Sequence, residues 1–301
     1  MIQTPETLDA EFSVAGAIRF EVGEGGLPRA VLTSGGSVAH VYLHGAHVTH
    51  FQPAGSEPIV FLSRESLFTE GKAIRGGVPL IFPWFGPNAE DASLPAHGFA
   101  RNRTWRFASA AVLDDGRVQV EFAMKDDRAT RALWDFSFGL TFRVTVGTTL
   151  EMEFVVQNTG DKPFRFEEAL HTYLAVSDVR QVGVTGLLGA EYLDKTDAMR
   201  RKRQEEDPIR FTRETDRLYL DTVTQCVADD VGGGRRIVVG KSGSNSTVVW
   251  NPWIEKAAGL KDFGDDEWIS MVCIETCNAE ANAVTLAPGV SHTLRAIVGV
   301  E

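Results

Sequence analysis

The chain has 301 residues, 43% hydrophobic and 24% charged, which excludes a disordered or fibrous protein. Its 30 basic and 41 acidic residues give a net charge of −11, the wrong sign for a nucleic-acid groove or an anionic membrane surface. No stretch reaches the roughly 18 apolar residues of a membrane helix. The N-terminus carries acids where a signal peptide carries bases, and the cysteine count of three argues against a disulfide framework. We therefore expect a cytoplasmic chain with neither nucleic-acid nor membrane partners.

The first predicted elements lie in the segment HVYLHGAHVTH, which holds histidines at 40, 44, 47 and 50. Their spacing could surround a zinc ion, but it also suits two strands joined at Gly45 and Ala46. β-Branched residues and the central glycine favour the strands, with Val41, Leu43 and Val48 facing the core. Since neither a cysteine nor a carboxylate completes a ligand set, we expect no metal here.

Alternation of apolar and polar residues dominates the rest of the chain. It runs from Phe136 to Val146, and it resumes from Leu150 to Val156 after a Gly-Thr-Thr turn, which predicts a long hairpin. Helical turns are predicted only near 63–68 and 127–134. Further strands are predicted at 164–176, 223–228, 236–240, 284–286 and 293–300. Many strands with Gly and Pro turns favour an all-β sandwich, and without a linker or repeat we predict a single domain over 1–301.

Glu275 is a carboxylate inside a predicted strand that is apolar on both faces, in the run WISMVCIETC. A buried carboxylate must be hydrogen-bonded, neutral or functional, and desolvation raises its pKa toward the range of a general base. The pattern leaves two alternatives open, a catalytic base or a structural carboxylate paired with an arginine. Cys273 and Cys277 share one face of this strand about 13 Å apart, too far for a disulfide, so we expect core thiols.

His171 lies on the polar face of the predicted 164–176 strand, together with Arg165, Glu167 and Tyr173. Polar and aromatic groups on one sheet face suit a sugar-binding surface, and they equally suit a strand that faces solvent. The sequence alone leaves both open.

Two segments place arginine beside glycine, AIRGGVP with Arg75 and PAHGFAR with Arg101. Glycine lets backbone approach a ligand, and guanidinium matches phosphate in a bidentate way. No G-K-[ST] follows, so neither is a Walker loop. The aromatic run FPWFGP between them suits stacking on a sugar ring or, alternatively, a stiff loop packed on the core. A basic run at 200–203 is predicted to be a solvated loop because acids follow it.

Taken together, these segments resemble the aldose 1-epimerase superfamily, in particular its hexose-6-phosphate branch, the glucose-6-phosphate 1-epimerases. The matching stretches run from about residue 43 to 277, and the most specific are IRGGVP, HGFAR and WNPW in that order. The resemblance implies a galactose-mutarotase-like β-supersandwich and a cofactor-free isomerase. Its substrate would be a small hexose 6-phosphate, whose α and β anomers it interconverts. We expect a monomer.

The resemblance also implies roles for residues. Glu275 would be the base and His171 the acid. The expected substrate-binding residues are Arg75 and Arg101 for the phosphate, His97 at the ring and Asp216 for the hydroxyls. Many relatives have Gln where this chain has Ala96, so one expected contact is absent or supplied by another group.

Three other functions remain in view at this point. An epimerase for unphosphorylated aldoses needs the same acid and base. A non-catalytic sugar-phosphate sensor could use the same fold, because fold does not prove activity. A glycoside hydrolase needs two carboxylates across a glycosidic bond, which Glu275 and Asp216 could mimic, but phosphate-binding arginines do not suit that groove.

Overall fold

The structure is a computed structural model that describes residues 3–301, and β-strands account for most of its regular secondary structure. Its three α-helices are α1 (Pro5–Phe12), α2 (Arg128–Leu133) and α3 (Trp253–Gly259). Its strands are β1 (Ile18–Val22), β2 (Pro28–Ser34), β3 (Ser37–Tyr42), β4 (His47–Gln52), β5 (Leu80–Ile81), β6 (Arg106–Val112), β7 (Val118–Lys125), β8 (Phe138–Val146), β9 (Leu150–Asn158), β10 (Phe164–Phe166), β11 (Glu168–Leu170), β12 (Tyr173–Ala175), β13 (Val182–Thr185), β14 (Glu191–Asp194), β15 (Arg200–Arg203), β16 (Ile209–Arg210), β17 (Thr215–Leu220), β18 (Cys226–Asp230), β19 (Arg235–Ser242), β20 (Ser246–Asn251), β21 (Met271–Asn278), β22 (Val284–Leu286) and β23 (Ser291–Val300).

Two large antiparallel sheets organise these strands. A nine-stranded sheet has the order β16-β13-β18-β19-β23-β9-β8-β7-β6. An eight-stranded sheet has the order β15-β14-β17-β20-β21-β11-β5, with β12 also paired to β21. A four-stranded sheet, β1 to β4, and the β10–β22 pair complete the set. The all-β prediction is therefore confirmed.

The predicted hairpin is confirmed as β8 and β9, which pair from Val146 and Leu150 at the turn to Phe138 and Asn158. Its apolar face is buried because every second residue points inward. Phe82, which follows β5 at the edge of the eight-stranded sheet, packs against Phe138 and Phe154 with ring centroids 5.2 and 6.2 Å away. This aromatic contact joins the two large sheets in one hydrophobic cluster.

Other element predictions meet mixed outcomes. The helical turn near 127–134 is confirmed as α2. The side chain of Asp127 caps the N-terminus of this helix by accepting a hydrogen bond from Thr130 N. The strands near 223–228 and 236–240 are confirmed as β18, which begins only at Cys226, and β19. None of the helices within residues 3–301 has the length and hydropathy of a membrane span. The single domain over 1–301 stays a prediction.

Two element predictions are wrong. The segment 63–68 is not helical, because Ser63 Oγ and Arg64 N both donate to the buried carboxylate of Glu267, at 2.6 and 2.8 Å. The basic run at 200–203 is the edge strand β15 rather than a loop, since it pairs with β14 and Lys202 donates to Asp194 at 2.7 Å.

The histidine-rich segment forms β3 and β4, as the strand interpretation predicts. His44 and His47 each lie at hydrogen-bond distance from a backbone carbonyl, those of Lys72 (2.6 Å) and Gly76 (2.8 Å). His40 and His50 stack on each other across the two strands, with ring centroids 4.8 Å apart. The histidines are thus divided between different partners.

Candidate active site

The centre of the candidate site is an interruption in a strand. The predicted strand 164–176 is three short strands, and β11 and β12 both pair with the same edge of β21. The register is the same on both sides of the break, so His171 lies directly opposite Glu275 on β21. His171 N donates to Pro79 O at 3.1 Å instead of to β21, which anchors the break between two strands. Sheet register therefore brings together two residues far apart in sequence.

Glu275 and His171 form a close buried pair. Glu275 Oε1 lies 3.3 Å from His171 Nε2, and the side chains are 2% and 9% exposed. Glu275 Oε2 and His171 Nδ1 have no hydrogen-bond partner among the described residues. Among the described residues, Glu275 is therefore paired with a histidine rather than an arginine, so the arginine-paired alternative is wrong, as is a solvent-facing position for His171.

Burial opposes charge on both members of this pair. It raises the pKa of Glu275 well above its usual value, although Lys195 and Arg101 oppose the rise. Burial also lowers the pKa of His171 well below its usual value, and the charges of Arg101 and Arg75 lower it further. The unliganded site therefore favours a neutral pair that shares one proton across the 3.3 Å contact.

A second row of side chains lies beside this pair on the same sheet face. Cys273 on β21 pairs across to Tyr173 on one side and Trp250 on the other, and Trp250 pairs with Asp216 on β17. The Tyr173 ring stacks on His171, with centroids 4.8 Å apart and planes 12° from parallel, and so fixes the imidazole. Asp216, a predicted site residue, thereby lies in the same cleft. Burial raises the pKa of its carboxyl.

Lys195 is a site residue that the sequence analysis missed. Its Nζ lies 3.5 Å from Asp216 Oδ1 and 4.4 Å from the centroid of the Phe85 ring. It follows β14 in the 3-10 turn Lys195–Asp197, where no periodic pattern marks it. The signal that could have found it is the stretch 186–195, GLLGAEYLDK, which lies within the range of about 43 to 277 that the family resemblance covers.

His97 reaches the same cleft from a turn in the HGFAR segment. Its φ of 66° and that of Gly98, 71°, place both residues in the left-handed region. The His97 ring meets His171 edge-on at 5.7 Å, and its Nδ1 accepts a hydrogen bond from Gly86 N at 3.2 Å. Burial lowers the pKa of His97 well below its usual value, with Arg101 adding to the effect, so the ring is neutral.

Arg75 and Arg101 place two guanidinium groups near the pair. Arg75 donates to Asp262 Oδ1 from two nitrogens, at 3.0 and 3.2 Å, and to Tyr173 Oη at 3.2 Å. Among the described residues, Arg101 donates a hydrogen bond only to the carbonyl oxygen of Ala96, at 2.9 Å, and its buried Nε has no partner. Burial and the charge of Arg75 lower the pKa of Arg101 to about 10. This excess of positive charge is a site prepared for an anion.

The glycines of the two arginine segments serve the fold rather than an open cradle. A Cβ on Gly77 would collide with Val48 O, and one on Gly98 would collide with Phe82 O. Both glycines therefore allow neighbouring backbone to approach, and the arginines are held in place as a result. Ala96 is exposed, and its carbonyl oxygen accepts the hydrogen bond from Arg101.

Comparisons with known proteins identify the family of this chain. The family model "Aldose 1-epimerase" matches residues 28–298. A Cenchrus ciliaris protein named "Putative glucose-6-phosphate 1-epimerase" is 35% identical over 273 residues, which is 88% of this chain and 82% of that one. An Escherichia coli protein of the same name is 37% identical over 244 residues, 81% of each chain. The crystal structure of a "putative mutarotase (YeaD)" from Salmonella typhimurium has a TM-score of 0.88 at 31% identity, over 96% of this chain and 95% of that chain.

The family match and the named relatives indicate an isomerase. The chain belongs to the aldose 1-epimerase family. The predicted galactose-mutarotase-like β-supersandwich is confirmed, and so is the predicted enzyme class. The individual roles of the site residues stay predictions.

Proposed function

We propose that the chain is a glucose-6-phosphate 1-epimerase, which interconverts the α and β anomers of glucose 6-phosphate. The observation that carries the proposal is the buried Glu275–His171 pair, 3.3 Å apart, with Arg75 and Arg101 beside it. The pair supplies the acid and base that mutarotation needs, and the arginines supply a counter-charge for phosphate. The names of the plant and bacterial relatives support the same substrate.

Catalysis begins by moving the proton of the neutral pair. When it passes from Glu275 to His171, the carboxylate can accept a proton and the imidazolium can donate one. Glu275 takes the proton of the C1 hydroxyl, the C1–O5 bond breaks as the C1 carbonyl forms, and His171 protonates O5. Rotation about C1–C2 presents the other carbonyl face, and closure reverses both transfers. Each such group is typically worth about 10²–10⁴-fold in rate.

Phosphate binding favours the ionised form of the pair. Arg101 and Arg75 are the main charges that hold His171 neutral. A phosphate dianion between their guanidinium groups cancels this repulsion and so makes the imidazolium easier to form. The substrate group that distinguishes glucose 6-phosphate from glucose therefore contributes to both binding and proton transfer.

The remaining site residues position the sugar. Asp216 and Lys195 present a carboxylate and an ammonium 3.5 Å apart, which can accept from and donate to sugar hydroxyls. His97 assists at the ring. The proton transfers balance without a redox or metal cofactor, so we propose a cofactor-free enzyme. We further propose that it acts as a monomer in the cytoplasm, where its three buried thiols would remain reduced.

The test is an anomer-equilibration assay started from a single anomer, with glucose 6-phosphate, mannose 6-phosphate, glucose and galactose compared. We expect kcat/KM to be greatest for a hexose 6-phosphate. Equal rates for glucose and glucose 6-phosphate would identify an epimerase for unphosphorylated aldoses. Binding of glucose 6-phosphate without acceleration would identify a sensor. Either result overturns the proposal.

A further inference from the structure

We propose that His171, Cys273 and Glu275 form a zinc site, and that Zn²⁺ bound there switches the enzyme off. One donor atom from each residue lies within 4.8 Å of the other two, and all three side chains are buried. No other group of three such residues lies this close together within residues 3–301. The site is distinct from the histidine-rich segment, where the four imidazoles are divided between different partners.

The spacing suits a tetrahedral ion. Two ligands about 2.0–2.1 Å from zinc at tetrahedral angles lie about 3.3–3.4 Å apart, and His171 Nε2 and Glu275 Oε1 are 3.3 Å apart. The Cys273 sulfur lies within 4.8 Å of both other donor atoms. Zinc–sulfur bonds are longer, about 2.3 Å, but the Cys273 side chain must still move closer to complete the set. Three protein ligands leave the fourth position to water.

The sheet holds the three ligands in place. Cys273 and Glu275 occupy alternate positions of β21 and thus the same face, about 7 Å apart along the strand. His171 projects from the neighbouring strand edge, opposite Glu275. The side chains of Tyr173 and Trp250 flank Cys273 on the paired strands. The site therefore needs no backbone movement to form.

The ligand chemistry selects a thiophilic ion. Thiolate and imidazole favour zinc, whereas magnesium and calcium favour oxygen ligands. Zinc binding releases two protons, one from the Cys273 thiol and one from the Glu275–His171 pair, and the resulting thiolate and carboxylate neutralise the ion. The nearby Arg75, Arg101 and Lys195 oppose any cation. We therefore expect reversible inhibitory binding, weaker than that of a structural zinc.

Inhibition follows from which atoms the ion occupies. His171 Nε2 and Glu275 Oε1 face each other and carry the proton of the pair, so zinc bound to them prevents its transfer and occupies the position of C1. This half of the inference rests on the proposed function. The binding half does not, because metal affinity is measured without substrate.

The experiment measures zinc affinity by competition with a chromophoric chelator, and it measures the near-ultraviolet sulfur-to-metal absorption of the Co²⁺ form. The variants are Cys273→Ser and Glu275→Gln. The matched control is Cys277→Ser, which removes a buried thiol from the same face of the same strand, four residues further on. A second control is His40→Gln. It removes one of the two stacked imidazoles, His40 and His50, whose ring centroids are 4.8 Å apart.

We expect one zinc ion per chain in the parent, Cys277→Ser and His40→Gln proteins. Loss of a residue that only supports a ligand typically costs 10–100-fold in affinity, so we expect Cys273→Ser to weaken binding at least about 100-fold and to abolish the cobalt absorption. Glu275→Gln should weaken binding as well. In the glucose 6-phosphate assay, zinc should inhibit the parent enzyme reversibly by EDTA. Inhibition of each variant is measured relative to its own zinc-free rate. The zinc concentration needed for inhibition should rise as the dissociation constant for zinc rises.

Two results overturn the zinc site: a parent protein that binds no zinc, and equal zinc affinities in the parent and Cys273→Ser proteins. Zinc binding at Cys273 without inhibition of an active enzyme would overturn the switch. If no sugar is turned over but zinc affinity and cobalt absorption depend on Cys273, the proposed function fails and the zinc site stands.

Discussion

The two large sheets are built from the same alternating strands, but they use their charged residues in opposite ways. On the nine-stranded sheet Arg143 lies between Glu121 at 2.9 Å and Glu153 at 2.6 Å, and Glu151 accepts from Arg117 and Arg295 at 2.8 and 2.7 Å. These pairs are partly exposed, and such pairs contribute about 0–1 kcal/mol each. Their charges are paired within the protein, although the buried Nε of Arg295 has no hydrogen-bond partner among the described residues.

On the eight-stranded sheet the charged groups of the cleft are left incompletely paired. Polar atoms of Arg101, His171, Asp216 and Glu275 are buried without hydrogen-bond partners among the described residues. Burial of an unpaired polar group costs roughly 1–3 kcal/mol, so such a cluster is expensive unless a ligand satisfies it. The site is therefore distinguished by charged groups that lack hydrogen-bond partners, not by a large number of charged groups.

The largest expected effect is on the rate when the unpaired carboxylate is neutralised. Glu275→Gln keeps the shape of the side chain but cannot accept a proton, so we expect kcat to fall at least about 10²-fold, the lower end for a general base. Its control is Glu153→Gln on the nine-stranded sheet, which breaks only partly exposed ion pairs, those with Arg143 and Arg295. Polarimetry of glucose 6-phosphate measures both. Parent-like turnover by a folded Glu275→Gln protein would contradict the role of the base.

The next effect is on stability and belongs to the nine-stranded sheet. Phe154 is fully buried and pairs across the sheet with Phe142 and Leu294. Phe154→Ala leaves a cavity, so we expect the free energy of unfolding to fall by about 3–5 kcal/mol. The rate per folded molecule should not change. Val155→Thr, on the opposite face of the same strand, is the control for denaturant unfolding. A large loss of kcat would mean that the two sheets are coupled in function.

The same contrast explains what the sequence could predict. The β8–β9 hairpin was predictable because a sheet with one buried face repeats every two residues. The non-helical conformation of 63–68 was not predictable. Glu267, which fixes that segment, lies some 200 residues further along the chain. Local periodicity carries no information about such a partner.

In the site, Glu275 was predictable because a carboxylate on a strand with two apolar faces breaks a pattern. Lys195 and Asp262 lie outside the strands, so there is no pattern for them to break. His171 lies opposite Glu275 because of the register between β21 and its neighbours, which the sequence does not encode locally. The family motifs supplied His171 as the acid, and the sheet register supplied its distance from the base.

A smaller effect on the rate is expected from the anion site. Within residues 3–301 Arg101 has no carboxylate partner, so Arg101→Ala removes a charge without breaking an ion pair described by the structure. A charge-assisted hydrogen bond is worth roughly 1.5–3 kcal/mol, and we expect kcat/KM for glucose 6-phosphate to fall about 10–100-fold. Activity on glucose should change much less. Arg143→Ala on the nine-stranded sheet is the control. Equal losses on both sugars would show that Arg101 supports the architecture and that phosphate binds elsewhere.

The smallest effect tests a contact where the two sheets meet. Glu168 on β11 is fully buried, and its Oε1 lies 2.9 Å from His292 Nε2 on β23 and accepts from Asn278 at 2.9 Å. Burial raises the pKa of Glu168, although His292 and Asn278 oppose the rise. Burial lowers the pKa of His292, but the hydrogen bond and charge of Glu168 outweigh this and raise it overall. Here a buried carboxylate has two hydrogen-bond partners at 2.9 Å, whereas Glu275, on the opposite face of the sheet, faces one imidazole at 3.3 Å.

Both pKa values are higher in the folded protein than in the unfolded chain, so the folded state binds more protons and these groups stabilise it less as the pH rises. The contribution of His292 is complete below about pH 6.5, the value for an unperturbed histidine, and it is lost as the pH rises through the raised pKa of the folded state. Above that point the Glu168 carboxylate remains buried without a cationic partner. Glu168→Gln removes that carboxylate, so from pH 6 to pH 9 the stability of the variant should improve relative to the parent by about 1 kcal/mol, or roughly 2 °C in Tm. Thermal unfolding at both pH values measures this, with the exposed Glu205→Gln as control. The difference in Tm between the parent and Glu168→Gln proteins could instead be the same at pH 6 and pH 9. That result would show that the pair does not titrate. The buried carboxylates on the two faces of this sheet would then differ in geometry but not in proton binding.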